Sequence, residues 1–284
     1  MFSLCEDSIG IPVLGCFMME YFAIDSVILV ICASCAMFQN LPDAALRDNL
    51  RSLATLNTTG LQYDKVFRKL KLAGKGDKTF GGRLIPFLDD KDAEVRVGAI
   101  LTFYLVMPEQ AEIALPILKR IAAAANEDQY VRGAAFSALG LLGISALPTL
   151  EELAHDKDEY VRRKTAMALT TMTSFHHDKK ILTLLLKLFD DKNERVSRAS
   201  SEGLLRSGKV VIPVLEQMVA KKSPRRLAAI SVLNRIDANN QIAVKALLDF
   251  MDFGSEQDKQ DVLLIASQSD KLDAAVVRNL IELI

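Results

Sequence analysis

Residues 130–140 read YVRGAAFSALG, and thirty residues on, 160–172 read YVRRKTAMALTTM. The same phrase, with its small residues at the same places, marks an internal repeat. Working outward gives five units: 86–106 (PFLDDKDAEVRVGAILTFYLV), 116–140 (PILKRIAAAANEDQYVRGAAFSALG), 148–172 (PTLEELAHDKDEYVRRKTAMALTTM), 183–205 (TLLLKLFDDKNERVSRASSEGLL) and 213–233 (PVLEQMVAKKSPRRLAAISVL). Pro86, Pro116, Pro148 and Pro213 open units, with Thr183 in the fourth place.

Each unit reads as two helices. Proline is tolerated in a helix's first turn, where its missing N–H would be unpaired anyway. Apolar residues follow at helical spacing: Ile117 and Ile121, Leu150 and Leu153, Leu184 and Leu188. Asp92, Asp128, Asp158 and Asn193 then stand where a second helix needs an N-cap acceptor. Small residues come next (Gly98-Ala99, Ala134-Ala135, Ala166, Ala199, Ala228-Ala229) and allow close helix approach. One such hairpin cannot bury its own apolar face, whereas stacked hairpins can. The expected fold is an all-α solenoid of stacked antiparallel helix pairs over residues 41–284, clearest over 84–235. Residues 43–72 read as one further pair, 74–82 (GKGDKTFGG) as a flexible hinge, 241–266 as a degenerate unit and 271–284 as a last helix.

A second periodicity concerns charge. Asp90 precedes Arg96 by six residues, Asn126 precedes Arg132 by six, and Asp156 precedes Arg162 by six. An acceptor at the hairpin corner and an arginine one turn into the second helix face their counterparts in the next unit. A guanidinium fork can bridge the two, so these six residues are expected to form a structural ladder. At Asp191 the pattern breaks, with Ser197 in the arginine's place and Arg198 beside it.

Proline, leucines, an Asp and then V-R-x-x-A-x-x-A-L-G resemble HEAT repeats, and among them the short HEAT-like repeats of the bilin-lyase group. Val131-Arg132, Ala135 and Ala138-Leu139-Gly140 match that form nearly letter for letter, Val95-Arg96 and Val161-Arg162 well. The fourth and fifth units depart, with Ser197 for Arg and Arg225 for Val. The resemblance implies a scaffold or adaptor architecture with varied partners. Some relatives hold a di-iron centre through paired His-Glu dipeptides, and this chain has none: its histidines are His155, His176 and His177. GKGDKT places Asp77 and Leu72 where a phosphate-binding loop needs glycine. All four cysteines (Cys5, Cys16, Cys32, Cys35) precede the repeats, and Cys32 and Cys35 have no second ligand pair to complete a zinc site. No catalytic residue, cofactor or metal is assigned.

Charge and composition narrow the partner. The chain of 284 residues carries a formal charge of −1, but residues 1–46 hold five acids and no Lys or Arg. The remainder has 35 bases against 31 acids, too mild for general nucleic-acid binding. Tryptophan is absent, which also counts against base stacking. Tyr130 and Tyr160 occupy one position in consecutive units, with Arg163 and Lys164 beside Tyr160 and Arg195, Arg198, Arg225 and Arg226 farther on. Tyrosine and arginine are enriched in binding hot spots. Tyr130, Tyr160, Arg163, Lys164 and Arg198 are the expected binding residues, for an acidic peptide or protein. The bland alternative has the tyrosines covering neighbouring corners and the bases offset by Asp156, Asp158, Glu159 and Asp191.

The leader, residues 1–40, is apolar over 11–38 apart from Glu20 and Asp25. It reads either as an anchor or exported segment, as a hydrophobic helix packed on the body, or as an upstream extension that is not natively translated. If it spans a membrane, Arg47 and Arg51 on its C-terminal side place the body in the cytoplasm. The function expected is a non-catalytic adaptor, with cytoplasmic residence favoured. The rival readings are a lyase-like protein holding a tetrapyrrole or similar ligand in its groove, and salt-sensitive nucleic-acid binding along the ridge.

Overall fold

A computed structural model describes residues 41–55, 61–75, 77–174, 178–221 and 223–267; the leader, His176, His177 and the final helix expected at 271–284 lie outside them. Within the described residues helix follows helix without a strand. The helices are α1 (Asp43–Thr55), α2 (Leu61–Gly74), α3 (Phe80–Leu84), α4 (Ala93–Leu105), α5 (Leu115–Ala123), α6 (Gln129–Leu141) and α7 (Leu147–Leu153). They continue as α8 (Glu159–Thr173), α9 (Lys179–Phe189), α10 (Glu194–Ser207), α11 (Ile212–Ala220), α12 (Arg226–Ile236), α13 (Gln241–Phe253) and α14 (Glu256–Ser267). None of them is long and apolar enough to cross a membrane.

The caps fall where the sequence puts them. The Asp92 carboxylate accepts from the Glu94 N–H, Asp128 from Tyr130 and Val131, Asp158 from Tyr160, and the Asn193 carbonyl from Arg195. Pro116, Pro148 and Pro213 sit in the first turns of α5, α7 and α11. The opening helices differ in detail. Pro86 lies in a 3-10 turn, Ile85–Asp89, so the first helix of that unit is a single tight turn. The fourth unit begins not at Thr183 but at Lys179, capped by Asp178. Ile117 is only partly covered, and Leu118 takes the core position with Ile121, Leu150, Leu153, Leu184 and Leu188.

The second helices α4, α6, α8 and α10 pack on one another in succession, each also closing on the first helix of its own unit. Small residues serve this stack between units as well as within them. A methyl group on Gly98 of α4 would lie 1.9 Å from the Leu50 carbonyl oxygen of α1, so the two backbones cross in contact. Two links after second helices turn through left-handed glycines, Gly143 (φ 65°) and Gly208 (φ 64°), a conformation costly to other residues.

The reading of 43–72 as one hairpin needs correcting. α1 packs chiefly on α4, with α2 a smaller neighbour, so α1 stands to α4 as one second helix stands to the next. The 74–82 segment is also not a free hinge. Residues 80–84 are helical, Phe80 is fully buried, and Gln110 clamps the turn by donating to the Asp77 carbonyl (2.9 Å) and accepting from the Gly81 N–H (2.9 Å).

Candidate functional site: a basic groove beside an arginine ladder

An arginine ladder forms, but the side chains that answer Arg96 and Arg132 across units are Glu127 and Asp158 rather than the expected Asn126 and Asp156. Arg162, on the second turn of α8, donates Nε and Nη2 to the two carboxylate oxygens of Asp191 in the next unit (2.6 and 3.0 Å). Its Nη1 reaches the Asp156 and Lys157 carbonyls of its own corner (2.9 and 3.0 Å). Arg96 likewise bonds the Asp90 carbonyl (2.6 Å) and, across the interface, Glu127 (2.6 Å). Arg132 bonds the Ala122 carbonyl (3.1 Å) and Asp158 (3.4 Å). The own-unit partner is therefore a backbone carbonyl. Asn126 is exposed and, among the described residues, makes no bond to an arginine; its neighbour Glu127 is the acceptor for Arg96. The acidic side chains at the corners also tie the link itself, Asp90 accepting from the Asp92 N–H, Asp156 from Asp158 and Asp191 from Asn193 (2.9, 2.8 and 2.9 Å).

One rung lies upstream of the five units. Arg47 donates bidentately to Asp90 (2.8 and 2.8 Å), and Arg51 reaches Asp92. The signal was present: Asp43-x-x-Leu46-Arg47 repeats Asp92-x-x-Val95-Arg96. The Arg47 hydrogen bond holds the Asp90 carboxyl at about 2, against the opposing effect of burial. Burial pushes Asp191 up, but Arg162, the Asn193 N–H and the Arg225 charge together leave it below the ordinary value. Where Ser197 interrupts the arginines, Arg225 donates to the Asp191 carbonyl instead.

Tyr160 belongs partly to this framework. The Arg132 guanidinium lies over its ring at 4.2 Å, Phe136 meets it edge-on at 6.4 Å, and its hydroxyl is buried without a partner. On the same ring converge Arg163 (5.5 Å) and Lys164 (5.7 Å). Tyr130 has no such role: it is 64% exposed and lies outside the groove described next.

Beside Tyr160, the outward faces of α6, α8 and α10 enclose an open groove of 570 Å³. The caps align the three helices, so Gly133, Arg163 and Arg198 share one level, then Ser137, Met167 and Glu202 one turn on, then Leu141, Thr171 and Arg206. Phe136, Met167, Ala168 and Ala199 supply an apolar floor, and Gly133 leaves open space where a Cβ would sit. Arg163, Lys164, Arg195, Arg198 and Arg206 line it, with Glu202 the one acid among the lining residues. Arg163, Lys164 and Arg198 were expected from the sequence. Phe136, Met167 and Arg206 were not, although their spacing of three or four residues from Gly133, Arg163 and Glu202 becomes readable once the helix faces are fixed.

The expected offset by neighbouring acids fails. Asp158 and Asp191 are taken by Arg132 and Arg162, Asp156 by the backbone, and Glu159 by the Asn193 amide. Among the described residues Arg163, Lys164 and Arg195 have no carboxylate within 4.0 Å. Among the described residues the carboxylate partners of Arg198 and Arg206 are Glu194 and Glu202 of their own helix (2.6 and 3.3 Å), at exposed sites where such pairs hold weakly, and Arg206 also donates to the Ser174 hydroxyl (3.4 Å). Burial, then the Arg163 charge, push the Lys164 ammonium below its ordinary value. Arg225 and Arg226 are spent elsewhere, Arg226 on Asp249 (3.4 Å) and the Phe250 ring (4.8 Å).

Helix pairs stacked through in-phase caps, small residues and a corner ladder define an α-solenoid. The family model of HEAT repeats matches residues 117–204 and again 147–234, so this stretch of the chain is similar to HEAT repeats. Among solved structures, the CpcE–CpcF complex of phycocyanin lyase from Nostoc sp. is similar at 17% identity, over 75% of this chain and 97% of that one (TM-score 0.38). YibA of E. coli is similar at 16% over 94% and 98% (TM-score 0.39), and an engineered protein at 14% over 84% and 74% (TM-score 0.39). The fold assignment stands on the helix pairs and the repeat match. No curated protein matches this sequence.

Proposed function

We propose that this chain is a non-catalytic adaptor that binds an acidic segment of another protein in the groove between α6, α8 and α10. The observation that carries the reading is the set of Arg163, Lys164 and Arg195, which lack carboxylate partners beside an apolar floor. A half-buried cation held next to another cation is a cost to the folded chain, and an arriving carboxylate removes it. The floor adds contact area through Met167, 46% exposed, whose flexible thioether adapts to varied partners.

The test is fluorescence anisotropy with a labelled degenerate peptide of Asp, Glu, Leu and Met, compared with one in which Lys replaces the acids. Wild type and the triple variant Arg163→Gln, Lys164→Gln, Arg195→Gln are titrated at two salt concentrations. At about 0.5–1 kcal/mol for each exposed pair, three lost pairs weaken binding by about tenfold or more. Binding of the acidic mixture that weakens with salt and is lost in the triple variant supports the proposal. Equal binding by wild type and variant contradicts it.

A further inference from the structure

Within that reading, the level shared by Arg163, Lys164 and Arg198 has a more specific chemistry. We propose that it is a subsite for a phosphoryl group carried on a serine or threonine of the bound segment. Arg163 and Arg198 stand at the same level of neighbouring helices α8 and α10, and both line the groove. Stacked helices have axes about 8–10 Å apart, so two guanidinium groups can close on one small anion from opposite sides. Lys164 stands next to Arg163, both within reach of the Tyr160 ring.

Charge decides between a carboxylate and a phosphoryl group. One carboxylate neutralises one of these cations and leaves the rest facing each other. A phosphomonoester carries close to two negative charges at neutral pH and three acceptor oxygens, enough for a fork from each arginine and the lysine ammonium. Among the described residues, the one bond Arg198 must give up is the exposed pair with Glu194 on its own helix. Room for the larger group exists above Gly133, at the same level on α6, where an added Cβ would meet nothing within 4 Å.

The floor argues for the peptide as the carrier. Free phosphate has no use for Phe136, Met167, Ala168 and Ala199, which adjoin the cations in the same groove. A nucleic-acid strand would need a basic track along the stack, and beyond the groove Arg225 and Arg226 are engaged with Asp191 and Asp249.

The test uses the full chain and three labelled degenerate peptides of one composition, with phosphoserine, glutamate or serine fixed at the centre. Inorganic phosphate and a labelled single-stranded oligonucleotide are run beside them. The phosphoserine mixture is expected to bind at least about tenfold tighter than the glutamate mixture, because the phosphoryl group brings a second charge and a third acceptor oxygen, enough for one further charge-assisted bond. Arg163→Gln and Arg198→Gln should each bring the two mixtures to near equality, while Lys119→Gln, far along the chain on α5, leaves the preference intact. Equal affinity for phosphoserine and glutamate mixtures overturns the phosphoryl subsite and leaves the acidic-segment reading standing. Binding of the oligonucleotide alone, or of no peptide mixture, overturns both.

Discussion

Replacing Arg162 with methionine keeps the aliphatic stem and removes four donated bonds, two to Asp191 and two to corner carbonyls. The side chains of Arg162 and Asp191 are only 10% and 11% exposed, so water cannot readily replace the lost partner. Breaking a buried pair while leaving one charge behind costs about 3–5 kcal/mol, and the slight exposure here brings the expectation to about 2–4 kcal/mol. For a chain of this size each kcal/mol shifts melting by roughly 2–4 °C, so calorimetry should show a drop of about 4–16 °C. Asp191→Asn alone should cost less, since the Arg162 guanidinium keeps its bonds to the Asp156 and Lys157 carbonyls and an amide oxygen remains to accept from it. In the double variant the two losses should fall short of additivity by about 1 kcal/mol or more. A melting transition within about 0.5 kcal/mol of wild type would refute the ladder as the element joining the third and fourth units.

Other perturbations separate the ladder from the groove. Both Asp90 and Asp191 hold their protons less tightly in the folded chain than in the unfolded one. Their stabilisation is complete above about pH 4 and is lost as pH falls through the folded values, about 2 for Asp90, so Asp90→Asn should flatten the acid limb of a stability–pH curve. Gly98→Ala drives a methyl group into the Leu50 carbonyl and should cost at least about 2 kcal/mol by overpacking, measured by urea unfolding. Gly133→Glu meets no such obstacle; it should gain about 0.5–1 kcal/mol of helix stability while placing a carboxylate among the groove cations and abolishing binding of the acidic peptide. Lys164 loses its proton more easily when folded. Its cost is therefore fully present at neutral pH and fades as pH rises through the folded value towards 10.5. Lys164→Met should raise the melting temperature at pH 7 while weakening peptide binding.

Much of the fold was written locally. Asp92, Asp128, Asp158 and Asn193 are each followed by a second helix because one short side chain can satisfy its first free N–H groups. The arginines of the ladder were legible as a phase relation, since each recurs one turn into a second helix, but their own-unit partners are backbone carbonyls, and for Arg132 that of Ala122, ten residues back. Which acceptor answers was not legible: Asn126 and Glu127 differ by one position, and the longer reach of Glu127 decides it. α1 was misassigned although Asp43 and Arg47 carry the second-helix pattern. The basic residues beside Tyr160 could be named in advance. Their lack of acidic partners could not, because it depends on Asp158 and Asp191 being claimed by arginines of the preceding unit. Tyr130 and Tyr160 share a register yet part ways, one exposed and one under Arg132, for the same three-dimensional reason.

The central claim is that the partner lies in the groove over Met167. The direct measurement is a photo-crosslinking residue at position 167 in the otherwise native chain, irradiated in the cells that make the protein, with the joined peptide sequenced by mass spectrometry. A second chain with the crosslinker at exposed Ile144, outside the groove, serves as reference. The account predicts one dominant adduct at position 167, an acidic segment, which disappears when Gly133→Glu is added and has no counterpart at position 144. The same adducts from both positions, or an adduct at 167 that survives Gly133→Glu, would contradict it.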